Sequence, residues 1–334
     1  MIKKILFVYN GISYVKSDLE ILSKHFNVKT YNFSSSKNPL KMLWEYVKFF
    51  FFLLLNINNY DLYFIWFADI HSFPAVFFAK IFKKKSVVNL GGYDVTYIPE
   101  LNYGAFSNPV RAFLTGYSIK NATINLAVAK KLKDEAIKRI KSANIKVVPT
   151  GYKISEIKIP ENKKNIVLTV GRVDSYNRFK IKGIDLFCEV AKLMPNTKFI
   201  VVGISKEAES FLNNPPKNLI TFPQLQIEKL QSFYKEAKVY AQFSMREGFP
   251  SAVCEAMLYG CIPVATNVGA IPEIIGNTGF IIKNDISPKN IKNLILQAFE
   301  YTFADSLKAS ERIKNNFSLK HREQNLLEIL KTLK

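Results

Sequence analysis

The sequence predicts two α/β domains, each a parallel sheet covered by helices on both faces, Rossmann-like in layout and facing one another across a cleft. Three observations carry that expectation. Short apolar runs alternate with helix-period segments from one end of the chain to the other. The runs are near-continuous rather than alternating, as strands buried on both faces require. A chain of 334 residues is long for one hydrophobic core and comfortable for two.

In the first half the strand-like runs are 4–9, 28–33, 62–67, 86–90, 123–128 and 146–148, separated by amphipathic stretches at 19–25, 40–55, 74–82 and 129–140. The second half repeats the alternation. Its strands are expected at 166–170, 198–202, 219–222, 239–243, 262–266 and 279–282, and its helices at 184–193, 206–212, 227–237, 252–259 and 288–301. Pro149, Gly151 and Pro160 punctuate a charged, weakly periodic stretch over 149–164, and such punctuation marks a change-over. The expected domains are therefore 1–152 and 153–318, with a last helix over 319–334 placed to pack back onto the first. Ligands of such sheets bind beyond the carboxyl ends of the strands, which puts the expected site in the cleft.

Composition narrows the function classes. The opening run to Tyr9 is too short for a secretory signal and lacks a small-residue cleavage site. No stretch reaches the roughly 20 apolar residues that a membrane-spanning helix needs. Cys188, Cys254 and Cys261 stand in apolar stretches without metal-ligand spacing, as core thiols in a reducing compartment do. A cytoplasmic protein is expected. The net charge of +20 is the compositional oddity, and residues 1–150 alone hold 21 Lys/Arg against 9 Asp/Glu. Either an anionic partner or a surface of solvated lysines accounts for it. No nucleic-acid motif is visible, and no nucleic-acid partner is expected.

The chemistry concentrates between Arg246 and Ile275. A strand ends, a Gly248-Phe249-Pro250 loop follows, Ser251 reads as an N-cap, and a short helix closes at Gly260. A helix start of this kind offers free backbone N–H groups and a positive dipole end, which suit a diphosphate. Glu247 lies on the loop and Glu255 in the first or second helical turn. A carboxylate accepts two hydrogen bonds at once, so each can hold a vicinal diol, one of a sugar and one of a ribose. Taken singly, Glu255 reads as a dipole-favoured acid and Glu247 as a solvated loop acid.

The whole string EGFPSAVCEAMLYGCIPVATNVGAIPEII resembles the signature of family 4 (group 1) glycosyltransferases, whose fold is the two-domain GT-B architecture. Glu247, Gly248, Phe249, Glu255, Ala256, Gly260, Pro263, Val264, Gly269, Pro272 and Glu273 all agree with it. Upstream, Leu168-Thr-Val-Gly171-Arg172 followed by Lys182-Gly183 looks like the family's Gly-Arg … Lys-Gly element, with a longer spacer that holds Arg178 and Lys180. Val147-Val-Pro-Thr-Gly-Tyr152 resembles its Pro-Asn-Gly linker, with Thr150 in place of Asn. Asn89-Leu-Gly-Gly-Tyr-Asp94-Val resembles a loop in which many relatives carry His-Gly-x-Asp. Here Gly91 stands where that His would be, while Gly92 and Asp94 match. Gly11, after the first strand, matches a glycine that approaches the donor in relatives.

The resemblance implies a metal-independent, cofactor-free enzyme moving a sugar, with retention, from a nucleotide diphosphate sugar to a glycan or lipid-linked acceptor. It implies that Glu247 holds the donor sugar and Glu255 the ribose. Arg172 and Lys182 would neutralise the leaving diphosphate, assisted by Gly171 and the backbone around Gly248, Phe249, Pro250 and Ser251. Asp94 is either a loop-orienting residue or an acceptor contact. His71, just past a strand end, is either a cleft residue able to act as a general base or a polar helix-start residue.

Residues 40–55 carry Lys41, Glu45 and Lys48 as one polar stripe on an otherwise apolar helix, and 75–82 runs into Lys83-Lys84-Lys85. An apolar face beside a lysine cluster is the pattern of an interfacial helix, and a thick core helix followed by a solvated charge run is the other interpretation. The former gives peripheral contact with an anionic membrane through the N-terminal domain, on its cytoplasmic face. Two other functions fit parts of the pattern. A UDP-sugar 2-epimerase shares the fold but would want more acids and histidines in the cleft; a non-catalytic basic protein binding lipid or nucleic acid would be indifferent to loss of Glu255.

Overall fold

The computed structural model of the protein describes residues 2–11, 15–36, 38–154 and 157–333. Met1, Ser155, Glu156 and Lys334, which belong to the segments read above as the opening strand, the domain junction and the last helix, lie outside the described residues. The chain forms two compact units, Met1–Gly151 with Leu319–Lys334, and Tyr152–Ser318.

The first unit runs β1 (Lys4–Tyr9), α1 (Lys16–Ser23), β2 (Asn27–Asn32), α2 (Pro39–Asn56), β3 (Leu62–Trp66), α3 (Ser72–Ile81), β4 (Lys85–Leu90), α4 (Pro109–Asn121), β5 (Ile124–Ala127), α5 (Lys130–Arg139) and β6 (Ile145–Val147). The strands form one sheet in the order β2-β1-β3-β4-β5-β6, every pair parallel. Ile5 to Val8 of β1 and Leu62 to Ile65 of β3 are wholly buried, and burial on both faces is why these runs show no alternation. Helix α4 had no apolar period to reveal it. Asn108 caps it by accepting from the Arg111 amide, Pro109 opens it, and its buried face is Thr115, Ser118 and Ile119. In α2 the predicted polar stripe faces inward at Glu45, which is 7% exposed.

The second unit runs β7 (Lys164–Val173), α6 (Tyr176–Ile181), α7 (Ile184–Lys192), β8 (Lys198–Ile204), α8 (Lys206–Glu209), β9 (Leu219–Phe222), α9 (Ile227–Glu236), β10 (Ala237–Gln242), α10 (Ser251–Leu258), β11 (Ile262–Thr266), α11 (Ile271–Ile275), β12 (Phe280–Ile282), α12 (Pro288–Phe299) and α13 (Phe303–Asn316). Its parallel sheet has the order β12-β11-β10-β7-β8-β9. The chain winds outward from β7 in one direction, then returns to its other side with β10, so β7 and β10 flank the topological switch point. Helix α8 is shorter than the 206–212 expected. Phe211 and Leu212 close it with i→i−3 bonds, Asn214 turns left-handed (φ 48°), and Pro215-Pro216 forbid continuation. Helix α13, unassigned from the sequence, buries small residues (Ser306, Ala309, Ser310) with Ile313. A capping box between Thr302 and Asp305 starts it.

The last helix, α14 (Leu319–Thr332), belongs to the first unit. It is held there by Arg322, a guanidinium only 2% exposed. Arg322 donates from Nε and Nη2 to the two oxygens of Asp18 (2.5 and 2.6 Å). Its Nη1 donates to the carbonyls of Val148 (2.9 Å) and Pro149 (2.8 Å). Trp66 Nε1 donates to Asp18 Oδ2 at 2.8 Å. A buried charge this well met is tolerated, but removing one partner strands the other. Arg322→Met should therefore cost the first unit about 3–5 kcal/mol, and Asp18→Asn with Arg322→Met should recover much of that loss. Urea unfolding followed by tryptophan fluorescence measures both, since Trp44 and Trp66 lie in this unit. Equal losses in the single and double variants would show that charge pairing is not what holds α14.

Candidate functional site

The carboxyl ends of β7 and β10 carry the residues singled out in the sequence. Pairing of β7 with β8 slips between Val170 and Val173, which lifts Gly171 and Arg172 out of the regular ladder. Gly203 on β8 permits the slip, because a Cβ there would stand 2.4 Å from the Gly171 carbonyl oxygen. Beyond β7, Ser175 caps α6 by accepting from the Arg178 amide. The helix ends at Lys182, and Gly183 (φ 65°) turns the chain into α7. A side chain at Gly183 is excluded sterically as well, since its Cβ would lie 2.1 Å from the Phe243 carbonyl oxygen.

That turn sends the Lys182 stem over Gly171 and its ammonium to Glu247, with Nζ donating to Oε1 at 2.7 Å. The same oxygen accepts from Gln242 Nε2 (2.9 Å) and Ser244 Oγ (2.7 Å). Behind them, Gln242 Nε2 also donates to Ser244 Oγ (2.6 Å), and Tyr240 Oη donates to Gln242 Oε1 (2.8 Å). Tyr240, Gln242 and Ser244 are buried. The Glu247 carboxylate, 9% exposed in its side chain, is thus aimed by a polar chain rooted in the sheet. Gly269 (φ 52°) lets the following loop close on it; a Cβ there would meet the Glu247 carbonyl oxygen at 2.2 Å. The Ala270 amide then donates to the Gly248 carbonyl at 2.9 Å.

Phe249 anchors the loop, stacked on Tyr152 (centroids 6.2 Å) and edge-on to Phe317 (5.5 Å). The structure corrects the capping expected of Ser251. Pro250, with extended backbone, is the N-cap of α10, and no side chain caps the helix. Ser251 is its first residue. No side chain therefore accepts from the first amides of α10, although the Val253 amide donates to the Pro250 carbonyl at 3.2 Å; a helix start without a side-chain acceptor suits an anion. Glu255, one turn further along, accepts from Tyr234 Oη at 3.2 Å. Burial holds its carboxyl above the ordinary carboxylate value, with Tyr234 partly opposing.

Lys182 and Glu247 come together, whereas the other cations lie apart. Arg172, 74% exposed in its side chain, donates to Asp174 at 2.7 Å, and Arg178 donates to the same oxygen at 2.7 Å. Lys180 pairs with Asp185. In the first unit, the Gly11 amide donates to Asn32 Oδ1 at 3.0 Å. Asp94, fully buried, accepts from the amides of Gly92 (2.8 Å), Gly91 (3.0 Å) and Ala68 (3.3 Å). Burial raises its carboxyl to about 6 against those bonds, so it organises its loop. His71 is 1% exposed, bonded through Nε2 to the Trp66 carbonyl (2.8 Å) and stacked on Phe33. Burial lowers its pKa, and the ring is out of solvent's reach.

The sequence reading missed Tyr240, Gln242, Ser244 and Tyr234. Tyr240 and Gln242 continue the alternation begun by Lys238 on one face of β10, with Ser244 in step just beyond the strand, and that alternation was the available signal. Tyr234, a single residue in α9, left none.

Residues 152–317, the whole second unit but for Ser318, match the family of glycosyl transferases group 1. Among curated proteins, the chain is 27% identical over 222 residues to TuaC of Bacillus subtilis, provisionally assigned as a teichuronic acid biosynthesis glycosyltransferase. The match covers 62% of this chain and 52% of TuaC, so the chain spans about half the length of the curated relatives it matches. Among solved structures, a sucrose-phosphate synthase from Thermosynechococcus elongatus superposes with a TM-score of 0.80 at 14% identity, covering 99% of both chains. HepE of Anabaena, solved with UDP and glucose, superposes with a TM-score of 0.73 at 18% identity over 99% of this chain and 100% of its own. The two six-stranded parallel sheets are those of the GT-B fold, and through residues 152–317 the chain belongs to the group 1 glycosyltransferases.

Proposed function

We propose that the protein is a family 4, retaining glycosyltransferase that moves a sugar from a nucleotide diphosphate sugar to a glycan or lipid-linked acceptor, with no resident cofactor. The observation that carries this reading is the buried Glu247 carboxylate, paired with Lys182 at the switch point and followed at once by an uncapped helix start. An ammonium brought to Glu247 from the end of α6, a helix start with no side-chain cap and two carboxylates eight residues apart suit a ligand that is anionic in one part and rich in hydroxyls in another. The TuaC, sucrose-phosphate synthase and HepE likenesses point the same way.

In this reading the diphosphate takes Lys182 and the amides of Ser251 and its neighbours, and the donor sugar's hydroxyls take Glu247. Glu255, deeper on α10, takes the ribose diol. Negative charge grows on the diphosphate as its bond to the sugar breaks, and cations already in place stabilise it without reorganisation. Arg172 and Arg178 share one exposed carboxylate partner, and exposed pairs of this kind are weak, so either guanidinium can turn to phosphate. The first unit supplies acceptor contacts and touches an anionic membrane on its cytoplasmic face.

Thermal shift against UDP, GDP, ADP and their sugar derivatives tests donor binding. One nucleotide should stabilise the wild type by about 2.7 kcal/mol at a hundredfold excess over its Kd, and Glu255→Ala should lose that response. A wild type indifferent to every nucleotide would sink the reading. With a donor in hand, Lys182→Ala should lower kcat about 10²–10³-fold while donor KM moves much less.

Without ligand, Glu255 should behave as a strained acid. Its carboxyl is raised above the ordinary value of 4.5, so the folded chain holds that proton more tightly than the unfolded chain does. Its contribution is fully present below 4.5 and lost as pH rises through the raised value. Glu255→Gln should therefore raise the melting temperature at neutral pH, and the gain should shrink as pH falls toward 4.5. A gain independent of pH would show that the charge is not responsible.

A further inference from the structure

Helix α2 faces the wrong way for a globular core. Its inward side chains are Glu45, Phe49 and Leu53, while Leu40, Trp44 and Leu55 are 76%, 68% and 79% exposed. Leu43, Val47, Phe50, Phe51 and Leu54 are exposed with them. Its one acid turns inward, where Tyr31 Oη (3.3 Å), the Ser34 amide (3.5 Å) and Lys48 (2.7 Å) meet it. The helix is thus fixed in this orientation by a charge it buries, and cannot roll its apolar side inward without stranding Glu45.

The apolar surface continues onto the end of α3. The Phe50 ring packs on Phe78 (centroids 4.9 Å), Phe78 on Phe82 (6.1 Å), and Ile81 and Phe82 are exposed beside them. Lysines border it: Lys41 and Lys48 on α2, Lys80 and Lys83 at the end of α3, all exposed. Soluble monomers rarely leave so large a contiguous apolar patch to water.

We propose that this face is an interfacial docking surface for anionic lipid, α2 lying in the headgroup plane with Trp44, Phe51 and their neighbours inserted. Charge complementarity selects lipid over a second copy. Two copies meeting through this face would bring Lys41, Lys80 and Lys83 together, and the one acid of α2 is turned inward and already paired with Lys48, whereas anionic headgroups neutralise these lysines while their stems lie along the apolar boundary. The helix lies on the membrane rather than through it: among the described residues no helix is long and apolar enough to cross one. This deepens the membrane contact in the reading above by naming its residues, and its test uses neither donor nor turnover, so the two can fail separately.

The experiment is sedimentation of the full chain with phosphatidylcholine–phosphatidylglycerol vesicles and with pure phosphatidylcholine vesicles, at low and high salt, with tryptophan emission recorded in parallel. Trp66 is 2% exposed, so a blue shift on binding reports Trp44. Binding to the anionic vesicles with that shift, weakened by salt, is expected. Leu43→Asp with Phe51→Asp changes only exposed side chains and should weaken binding at least about tenfold, with the circular dichroism spectrum retained. Lys80→Glu with Lys83→Glu should remove the preference for anionic vesicles. No binding to either vesicle overturns the proposal. So does unaltered binding by the Leu43→Asp, Phe51→Asp protein, or a dimer in light scattering that this pair of changes dissolves while the wild type ignores vesicles.

Discussion

In each unit a carboxylate largely removed from water is held by groups that make its burial tolerable. In the first unit Asp18 lies on α1 with its oxygens divided between the Arg322 guanidinium and the Trp66 indole. In the second, Glu247 collects Lys182, Gln242 and Ser244 on a single oxygen. An ion in a poorly polarisable interior costs several kcal/mol unless geometry and hydrogen bonds answer it, so these partners cannot drift independently. The consequences differ. Asp18 determines where the chain's last helix belongs, for Arg322 arrives from α14, more than three hundred residues away in sequence. Glu247 holds the Lys182 ammonium against the loop that leads into α10.

The two arrangements also differ in how far solvent reaches them. Arg322 and Asp18 are each 1% exposed in their side chains, and nothing from outside can take either partner's place. In the Glu247 pair the carboxylate is 9% exposed but the ammonium 27%. In the proposed function, a diphosphate would meet the cation first, and the carboxylate it released would keep Gln242 and Ser244. One pair is closed to solvent on both sides, and the other is open at its cation.

Much of the architecture was legible because parallel strands buried on both faces write continuous apolar runs, so the strand runs fell within a few residues of β1 to β12. Gly183 and Gly269 entered only through the resemblance; both take positive φ against a carbonyl, where glycine alone fits. What stayed hidden has physical reasons. Helices α4 and α13 bury serine, threonine and alanine, which write no hydrophobic period. Arg322 sits in a polar helix and reads as a solvated cation until the fold brings Asp18 to it. The inward orientation of Glu45 could not be read either, because an amphipathic period is the same whichever face meets the core. Ser251 misled for the opposite reason: a good capping residue stood one place inside the helix, and Pro250 took the cap position.

The buried polar face of β10 links these observations to chemistry. A parallel strand flanked on both sides, as β10 is by β7 and β11, normally carries apolar side chains only. Tyr240 and Gln242 break that rule on one face and, with Ser244 just beyond the strand, lead outward in single steps to Glu247. Each bond in the chain is between groups already removed from water, so none has to be desolvated when a ligand arrives, and the low local polarisability strengthens all of them. A chain of this kind contributes less to stability than leucines packed in its place would. What it adds is direction: a carboxylate on a loop, where side chains ordinarily wander, is held as firmly as if it stood on the strand itself. Lys182, pinned from the other side by a turn that only glycine can make, receives the same treatment. A loop acid and a helix-end lysine are thereby held as fixed elements of the sheet's carboxyl edge, as the proposed stabilisation of a leaving diphosphate would require of them.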